Sequence, residues 1–254
     1  MIKRVSGLSK SEFYKDFVKP GKPVIITDLT RDWPASSIWS EDYFISRFGH
    51  ASVSTMRVKD EKCDVDTYNE TDEAKGNVAD ILQGVSGGLA ENIKVIASQL
   101  ENFPDSIKDD FTIPGYCADG KFLRSRVYIG PAGLVTPLHQ DLPENLYVLV
   151  KGKKRITLYP PGDRGNLYIN PPLSKHPNFS RIDPLHDDFE TFPRSRNARP
   201  VSFEMNSGDT LFIPSFWWHH IQNMENSMAM NFWWSYDWKI AIAWSAAMYK
   251  KWLR

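Results

Sequence analysis

Short apolar runs separated by turn residues fill the chain from residue 124 onward, and they constrain the fold more than any other feature. Runs of this length, rich in β-branched and aromatic residues, are typical of β-strands. Many such strands in succession predict a closed or double-sheet β architecture such as a jelly roll. We expect them at 124–129, 136–141, 146–150, 155–159, 201–204, 210–214 and 228–234.

The first 121 residues predict a mixed α/β extension of this core. Ser9 and Glu12 have the spacing of a capping box, Ser40 can cap a second helix, and 78–85 is a third helical stretch. Apolar positions in 237–254 follow a helical period. We therefore predict one domain over 1–254, with an extension at 1–121, a core at about 122–236 and a carboxy-terminal helix at 237–254.

A proline-rich stretch, 160–200, interrupts the series of strands. A loop of this length inside a compact domain is usually a lid or a binding loop. We therefore expect it to border a functional site and to accommodate an extended chain.

Bulk composition excludes few classes of function. The 254 residues carry 31 basic and 31 acidic side chains, so the net charge is zero and nucleic acid is not indicated. The two cysteines form no CxxC pattern, and the chain has neither an apolar run long enough to span a membrane nor a secretory signal. A soluble cytoplasmic protein is the expectation.

A histidine and an aspartate separated by one residue, His139 and Asp141, are the main candidates for chemistry. Alternate residues of a strand share a face, so both side chains would enter one cavity. His219 could complete two histidines and one carboxylate, the ligand set of non-haem Fe(II) sites that activate oxygen. Separately, each motif has a simpler interpretation, a chance HxD and a buried core histidine.

Further polar residues accompany these candidates. Lys154 either points into the core, where it needs an anion, or lies on a solvated hairpin tip beside its basic neighbours. Asn231 interrupts an apolar strand and must find a partner, for which a cofactor carboxylate and a backbone group serve equally. Thr136 and Asn145 flank the HxD motif.

An ordered set of motifs resembles the JmjC (cupin-like) family of Fe(II)- and 2-oxoglutarate-dependent oxygenases. The resemblance runs from about residue 22 to residue 234 and is nearest to the small hydroxylase branch, which includes the asparaginyl hydroxylase that inhibits hypoxia-inducible factor. The motifs are KPVII at 22–26, DWP at 32–34, TPLHQD at 136–141, PENL at 143–146, KGKKR at 151–155, YPP at 159–161, GDTLFIP at 208–214, WWHH at 217–220 and NFW at 231–233.

The resemblance implies a mainly β fold, a double-stranded β-helix of the cupin-like jelly-roll type with flanking N-terminal helices and a C-terminal helix. It also implies that Fe(II) is bound by His139, Asp141 and His219, and that O2 is a co-substrate. The residues implied around 2-oxoglutarate and the substrate are Thr136 and Lys154 at the distal carboxylate, Asn145 and Asn231 near the chelating end, Tyr128 in the pocket wall and Trp233 near the substrate.

One position departs from the family. Many relatives have a cofactor-binding tyrosine where this chain has Val95 and Ile96, and Tyr128 could replace it. The activity implied is hydroxylation of a side chain in a protein or peptide. Hydroxylation of a modified RNA base or a small molecule, and a cupin-like protein without turnover, remain alternatives. The carboxy-terminal helix could also form a homodimer.

Overall fold

A computed structural model describes residues 1–64, 75–88, 93–117 and 121–235. Within these ranges, the amino-terminal half contains four helices: α1 Lys10–Phe13, which continues as a π-helical turn at Tyr14–Val18, α2 Ala35–Ile38, α3 Glu41–Phe48 and α4 Val78–Val85. The strands are β1 Lys3–Val5, β2 Val24–Ile26, β3 Ser52–Lys59, β4 Lys62–Asp64, β5 Lys75–Asn77, β6 Lys94–Gln99, β7 Lys121–Gly130, β8 Val135–Gln140, β9 Glu144–Lys151, β10 Lys153–Tyr159, β11 Val201–Asn206, β12 Thr210–Ile213, β13 Trp218–Asn223 and β14 Ser227–Ser235.

The strands form a mainly β, cupin-like jelly roll, which confirms the predicted fold class. A larger sheet has the order β1-β2-β12-β9-β14-β7-β6-β3, and a smaller one has the order β8-β13-β10-β11. The short strand β4 joins them, because it pairs with β3 and with the start of β8. The amino-terminal extension is continuous with the core, since β2 and β6 pair directly with β12 and β7.

Both faces of the larger sheet are covered, which explains why its central strands are almost entirely buried. On β9, Tyr147 and Leu149 belong to the core between the two sheets, whereas Leu146 and Val148 belong to the core beneath the amino-terminal helices. This is the expected alternation of a strand. Any side chain of β9 that lies an even number of positions from Tyr147 therefore points into the barrel.

The amino-terminal helices begin where the sequence predicts. The Ser9 hydroxyl accepts a bond from the Glu12 amide, and the Glu12 carboxylate accepts one from the Ser9 amide, so the capping box is formed. Ser40 caps α3 through the amide of Tyr43. These helices present apolar faces to the outer surface of the larger sheet.

Two features differ from the predicted elements, and one prediction lies outside the described residues. The stretch 217–220 is not among the predicted strands, and most of it belongs to β13, which lies in the middle of the smaller sheet. The strands β1, β4 and β5 have three residues each, too few to show a period. The helix predicted at 237–254 lies outside the described ranges, so it and a homodimer through it stay predictions.

The long loop packs on the outside of the smaller sheet. Leu167 lies in a small apolar cluster with Leu138, Tyr159 and Trp218. Short 3₁₀ turns at Pro161–Asn166 and Pro193–Asn197 are its regular elements. None of the helices in the described ranges is long and apolar enough to cross a lipid bilayer.

Candidate functional site

Three predicted ligands converge at one end of the barrel. His139 lies near the end of β8, Asp141 follows that strand directly, and His219 lies opposite His139 on β13. One nitrogen or oxygen atom from each of the three lies within 4.8 Å of the others. Nε2 of His219 is 3.8 Å from Oδ2 of Asp141, and the two imidazole centres are 4.1 Å apart.

A β-bulge in β8 places Thr136 beside this cluster. His219 pairs with His139 and Ile221 pairs with Thr136, so two residues of β8 stand opposite the single residue His220. Such a bulge changes which face later side chains occupy. Thr136 and His139 therefore line the same cavity although they are three positions apart, a spacing that places side chains on opposite faces of a regular strand.

Both imidazoles are oriented to offer the same ring nitrogen. Nδ1 of His139 lies 2.8 Å from the carbonyl oxygen of Pro137, and Nδ1 of His219 lies 3.2 Å from that of Trp217. A proton on each Nδ1 would be donated to these carbonyls, which leaves the Nε2 lone pairs for a metal. Burial, with a smaller contribution from His139, lowers the pKa of His219 to about 4, so its ring is neutral as a ligand must be.

The donor set fits a divalent transition metal. Two imidazole nitrogens and one carboxylate oxygen are the ligands of non-haem iron sites with open positions. The Trp233 indole donates to Oδ2 of Asp141 at 3.3 Å and so holds that carboxylate in place. Outer partners of this kind orient metal ligands.

A cavity of about 200 Å³ opens beside the cluster. Phe179 from the long loop stacks on the His139 ring at 5.0 Å and 14°. The loop is fixed there because the Gln140 amide donates to Asn178 and the Ser180 amide donates to Leu138. We call this space the outer cavity; it is lined by Met56, Cys63, Arg124, Arg126, Tyr128, Thr136, His139, Asp141, His176, Asn178, Phe179 and Trp233.

A second space, the inner cavity, lies deeper in the barrel around Lys154. It shares Met56, Cys63, Tyr128 and Thr136 with the outer cavity. Lys154 is 4 % exposed, so the predicted inward orientation is correct and the hairpin-tip interpretation is wrong. Its ammonium group donates to Oδ1 of Asn223, and Nζ lies 5.9 Å from the centre of the Tyr147 ring.

The inner cavity fits one carboxylate of a small dianion. Within the described ranges Lys154 has no carboxylate partner, and burial lowers the pKa of its ammonium group to about 7. A buried ammonium without a counter-ion is costly, and a bound carboxylate would compensate it. Residues of two adjoining cavities, which share four lining residues, can thus hold a metal and the far end of an organic diacid.

Comparison with known proteins agrees with this geometry. A family model described as a cupin-like domain matches residues 10–239. The chain belongs to the cupin-like JmjC family. Among similar proteins are Lysine-specific demethylase JMJ30 of Arabidopsis thaliana, 30 % identical over 92 % of this chain and 54 % of that protein, and Lysine-specific demethylase 8 of Danio rerio, 31 % identical over 92 % and 58 %. Another is Bifunctional peptidase and (3S)-lysyl hydroxylase JMJD7 of Homo sapiens, 26 % identical over 90 % and 82 %. The chain spans little more than half the length of the two demethylases.

Two asparagines expected at the site of a JmjC protein lie beside the cavities rather than in their walls. Asn145 is buried opposite Trp233, and its Oδ1 has no hydrogen-bond partner in the described structure. Asn231 is buried, and its Oδ1 accepts a bond from the Arg126 amide at 3.2 Å. The backbone is thus one partner of Asn231, whereas the unpartnered oxygen of Asn145 keeps a role at the cofactor open.

Two residues beside Lys154, Tyr147 and Asn223, escaped the sequence analysis. Val95, where the resemblance implies a missing tyrosine, lines the inner cavity. Tyr128 borders both cavities, but Tyr147 and Asn223 lie next to the Lys154 ammonium group. Tyr147 could have been predicted to face the cavity, because it lies two positions after Asn145 on an apolar strand and so shares its face. Asn223 lies beyond the WWHH motif and carried no signal.

The buried Lys154 predicts a pH dependence of stability. Its pKa falls from an ordinary 10.5 to about 7 on folding, so its destabilising effect is complete below about pH 7. Between these values the unfolded chain binds more protons than the folded chain, and stability rises with pH. We expect wild type to gain up to about 1 kcal/mol per pH unit over this window relative to Lys154→Met. Urea unfolding of both proteins from pH 7 to pH 10 measures the difference, and parallel curves would contradict it.

Proposed function

We propose that this protein is an Fe(II)- and 2-oxoglutarate-dependent dioxygenase that hydroxylates a side chain of a protein or peptide. The observation that carries the proposal is the convergence of His139, Asp141 and His219 near the buried Lys154, which has no carboxylate partner among the described residues. A metal centre alone would not need the lysine. The lysine alone would not need three ligands. An oxygenase that uses a diacid co-substrate needs both.

When bound, Fe(II) with 2-oxoglutarate and O2 supplies an oxidation that releases succinate and carbon dioxide. The chain's own residues bind the diacid, orient the metal ligands and enclose the metal centre. Lys154, with Thr136 at the same cavity, binds the distal carboxylate. Trp233 holds the Asp141 carboxylate, and Phe179 covers one face of His139, which keeps water away from the centre.

The architecture of the outer cavity supports a peptide substrate. The long loop contributes His176, Asn178 and Phe179 to its wall, so a chain lying along the loop would reach the metal centre. JMJD7 is named as a peptidase and (3S)-lysyl hydroxylase and the two other relatives as lysine-specific demethylases, and reactions on proteins or peptides would account for all three names.

Turnover of 2-oxoglutarate tests the proposed function. The protein is incubated with Fe(II), ascorbate and 2-oxoglutarate in air, with and without pooled peptides, and succinate is measured. We expect slow iron-dependent release of succinate that peptides increase. Absence of any iron-dependent turnover would refute the oxygenase, and stimulation only by RNA or by small acids would refute the peptide substrate.

A further inference from the structure

We propose that a third cavity, away from the metal centre, binds a basic side chain, Lys or Arg, of the protein substrate. The cavity has a volume of about 200 Å³ and lies between residues 182–200 of the long loop and the strands β10 and β11. We call it the loop cavity. Its role in docking the substrate rests on the proposed function, but binding to it can be measured without turnover.

The loop cavity is on the opposite face of the smaller sheet from the metal centre. On β10, Leu158 stands opposite His219 and belongs to the core inside the barrel. The next residue, Tyr159, therefore points to the outer face, where it lines the loop cavity. Among the described residues, this cavity shares none of its lining with the outer or the inner cavity, so a side chain bound here leaves the space for the diacid free.

The floor of the loop cavity carries a buried hydroxyl group without a partner. Tyr159 is 5 % exposed, and its ring belongs to the apolar cluster that contains Leu167 and Trp218. Within the described ranges its hydroxyl makes no hydrogen bond. Buried polar groups normally have a partner, and a hydroxyl can both donate and accept. This group is therefore available to a ligand in the cavity.

A carboxylate without a partner lies at the same cavity. Asp187 is exposed, and it forms neither an ion pair nor a hydrogen bond with the described residues. Burial raises the pKa of Tyr159 to about 12, and the carboxylates of Asp187, Asp163 and Asp183 raise it further. The hydroxyl is thus neutral and lies in a negative potential, which favours a cationic ligand.

The two other carboxylates in the described lining already have partners. Asp183 pairs with Lys62 at 2.7 Å, and Asp188 accepts a hydrogen bond from the Thr191 amide at 3.0 Å. Asp187 is therefore the carboxylate of this lining that can pair with an incoming cation without displacing a group of the protein.

The aromatic wall of the loop cavity suits a cation on an apolar stem. Phe189 and Phe192 line it, and Cζ of Arg196 lies 4.9 Å from the centre of the Phe189 ring. Arg196 forms no ion pair with Asp187 in the described structure, and the described lining holds three carboxylates against this one guanidinium. A lysine or arginine stem can pack on the rings while its charged head reaches Asp187 and the Tyr159 hydroxyl.

A metal ion and a phosphate group fit the loop cavity less well. In the described part of the chain, the one group of three ligand atoms close enough to hold a metal is that of His139, Asp141 and His219. The carboxylates of the loop cavity are therefore too far apart to chelate an ion together. A phosphate would meet the same carboxylates and be repelled by them.

Binding is measured first, on the full chain without added iron, by fluorescence anisotropy. Peptide pools with randomised flanks carry Lys, Arg, Nε-acetyllysine or Glu at the centre, and spermidine serves as a competitor. We expect the Lys and Arg pools to bind at least ~5-fold more tightly than the acetyllysine pool, the selectivity of an ion pair that is reinforced by a hydrogen bond. The Glu pool should bind most weakly.

Two variants assign the preference to the loop cavity. Asp187→Asn removes the charge at an exposed position and should make the Lys and acetyllysine pools bind alike. Tyr159→Phe keeps the ring, so it should weaken binding of the Lys pool by at least ~3-fold while Tm stays unchanged, because the hydroxyl has no internal partner to lose. Glu190→Gln changes an exposed carboxylate of the same loop outside the described lining, and as the matched control it should bind like wild type.

Four outcomes would overturn the docking site. They are equal binding of the Lys and acetyllysine pools by wild type, a preference that survives Asp187→Asn, an equal loss of preference in Glu190→Gln, and tighter binding of spermidine than of the Lys pool, which would assign the cavity to a free polyamine. A lowered Tm of Tyr159→Phe would overturn the role of the hydroxyl as a ligand-binding group.

Succinate release in air separates the docking site from the proposed function. With Fe(II) and 2-oxoglutarate, Asp187→Asn should raise the KM for the Lys pool at least ~5-fold, whereas Glu190→Gln should leave it unchanged. Selective binding of basic peptides without any iron-dependent succinate release would refute the oxygenase and leave the docking site. Turnover stimulated equally by the Lys and acetyllysine pools would refute the docking site and leave the oxygenase.

Discussion

Replacing His139 with alanine is expected to abolish iron-dependent turnover of 2-oxoglutarate. The side chain supplies one of three donor atoms that lie within 4.8 Å of one another. We expect the two remaining ligands, Asp141 and His219, to bind iron too weakly to compete with buffer molecules. Changing an outer partner of a metal ligand costs roughly 10–100-fold in affinity or activity, so loss of the ligand should exceed ~100-fold. Succinate release and Fe(II) affinity, measured by quenching of tryptophan fluorescence, should fall together.

The neighbouring imidazole of His220 provides a matched control. It is buried on the opposite face of β13 from His219, with Nε2 3.9 Å from Oδ1 of Asp183, and it lines a different cavity. Burial lowers the pKa of His220 to about 4, so glutamine replaces a neutral ring. His220→Gln should keep iron binding and turnover. If His139→Ala retained turnover, or if His220→Gln lost iron while still folded, the ligand assignment would be wrong.

The difference between His219 and His220 shows how far the sequence can specify the site. Period-two alternation places one of two consecutive histidines inside a barrel but cannot say which, and the family resemblance selected His219. The structure gives the physical reason, because β13 pairs with β8 so that His219 stands opposite His139. The segment was not among the predicted strands. In the structure it belongs to a strand that is buried on both faces, and such strands show no clear apolar–polar alternation.

Residues brought in by long-range packing were beyond prediction from local patterns. Phe179 stacks on His139 because the distant loop pairs with the edge of β8, and no local period predicts where a proline-rich loop docks. Asn223 meets Lys154 through the pairing of β10 with β13, a register that follows from the whole sheet. The bulge in β8 could not be predicted either, because it also depends on the pairing of strands that are distant in sequence. In contrast, helix starts depend on neighbours three residues apart, so Ser9 and Ser40 were recognisable.

Replacing Lys154 with methionine is expected to separate cofactor binding from stability, with effects of opposite sign. The ammonium group is the one cation among the described residues that line the inner cavity, so its loss removes the proposed partner of the distal carboxylate. Charge-assisted hydrogen bonds contribute about 1.5–3 kcal/mol each, and burial strengthens the attraction further, so the affinity for 2-oxoglutarate should fall by at least ~10–100-fold. Anaerobic calorimetric titration of the Fe(II)-loaded protein measures this loss without turnover.

Without the cofactor, the same Lys154→Met variant should be more stable than wild type at pH 7 and below. Methionine fills a similar volume without a buried charge, and such replacements often stabilise proteins by about 1–4 kcal/mol. The unsatisfied amide oxygen of Asn223 offsets part of this gain. Lys153→Met is the matched control, because the adjacent Lys153 pairs with Glu204 at the surface and should change neither property appreciably. A Lys154→Met protein that is destabilised without 2-oxoglutarate, or that binds it like wild type, would mean that the lysine is a structural element rather than the anchor of the diacid.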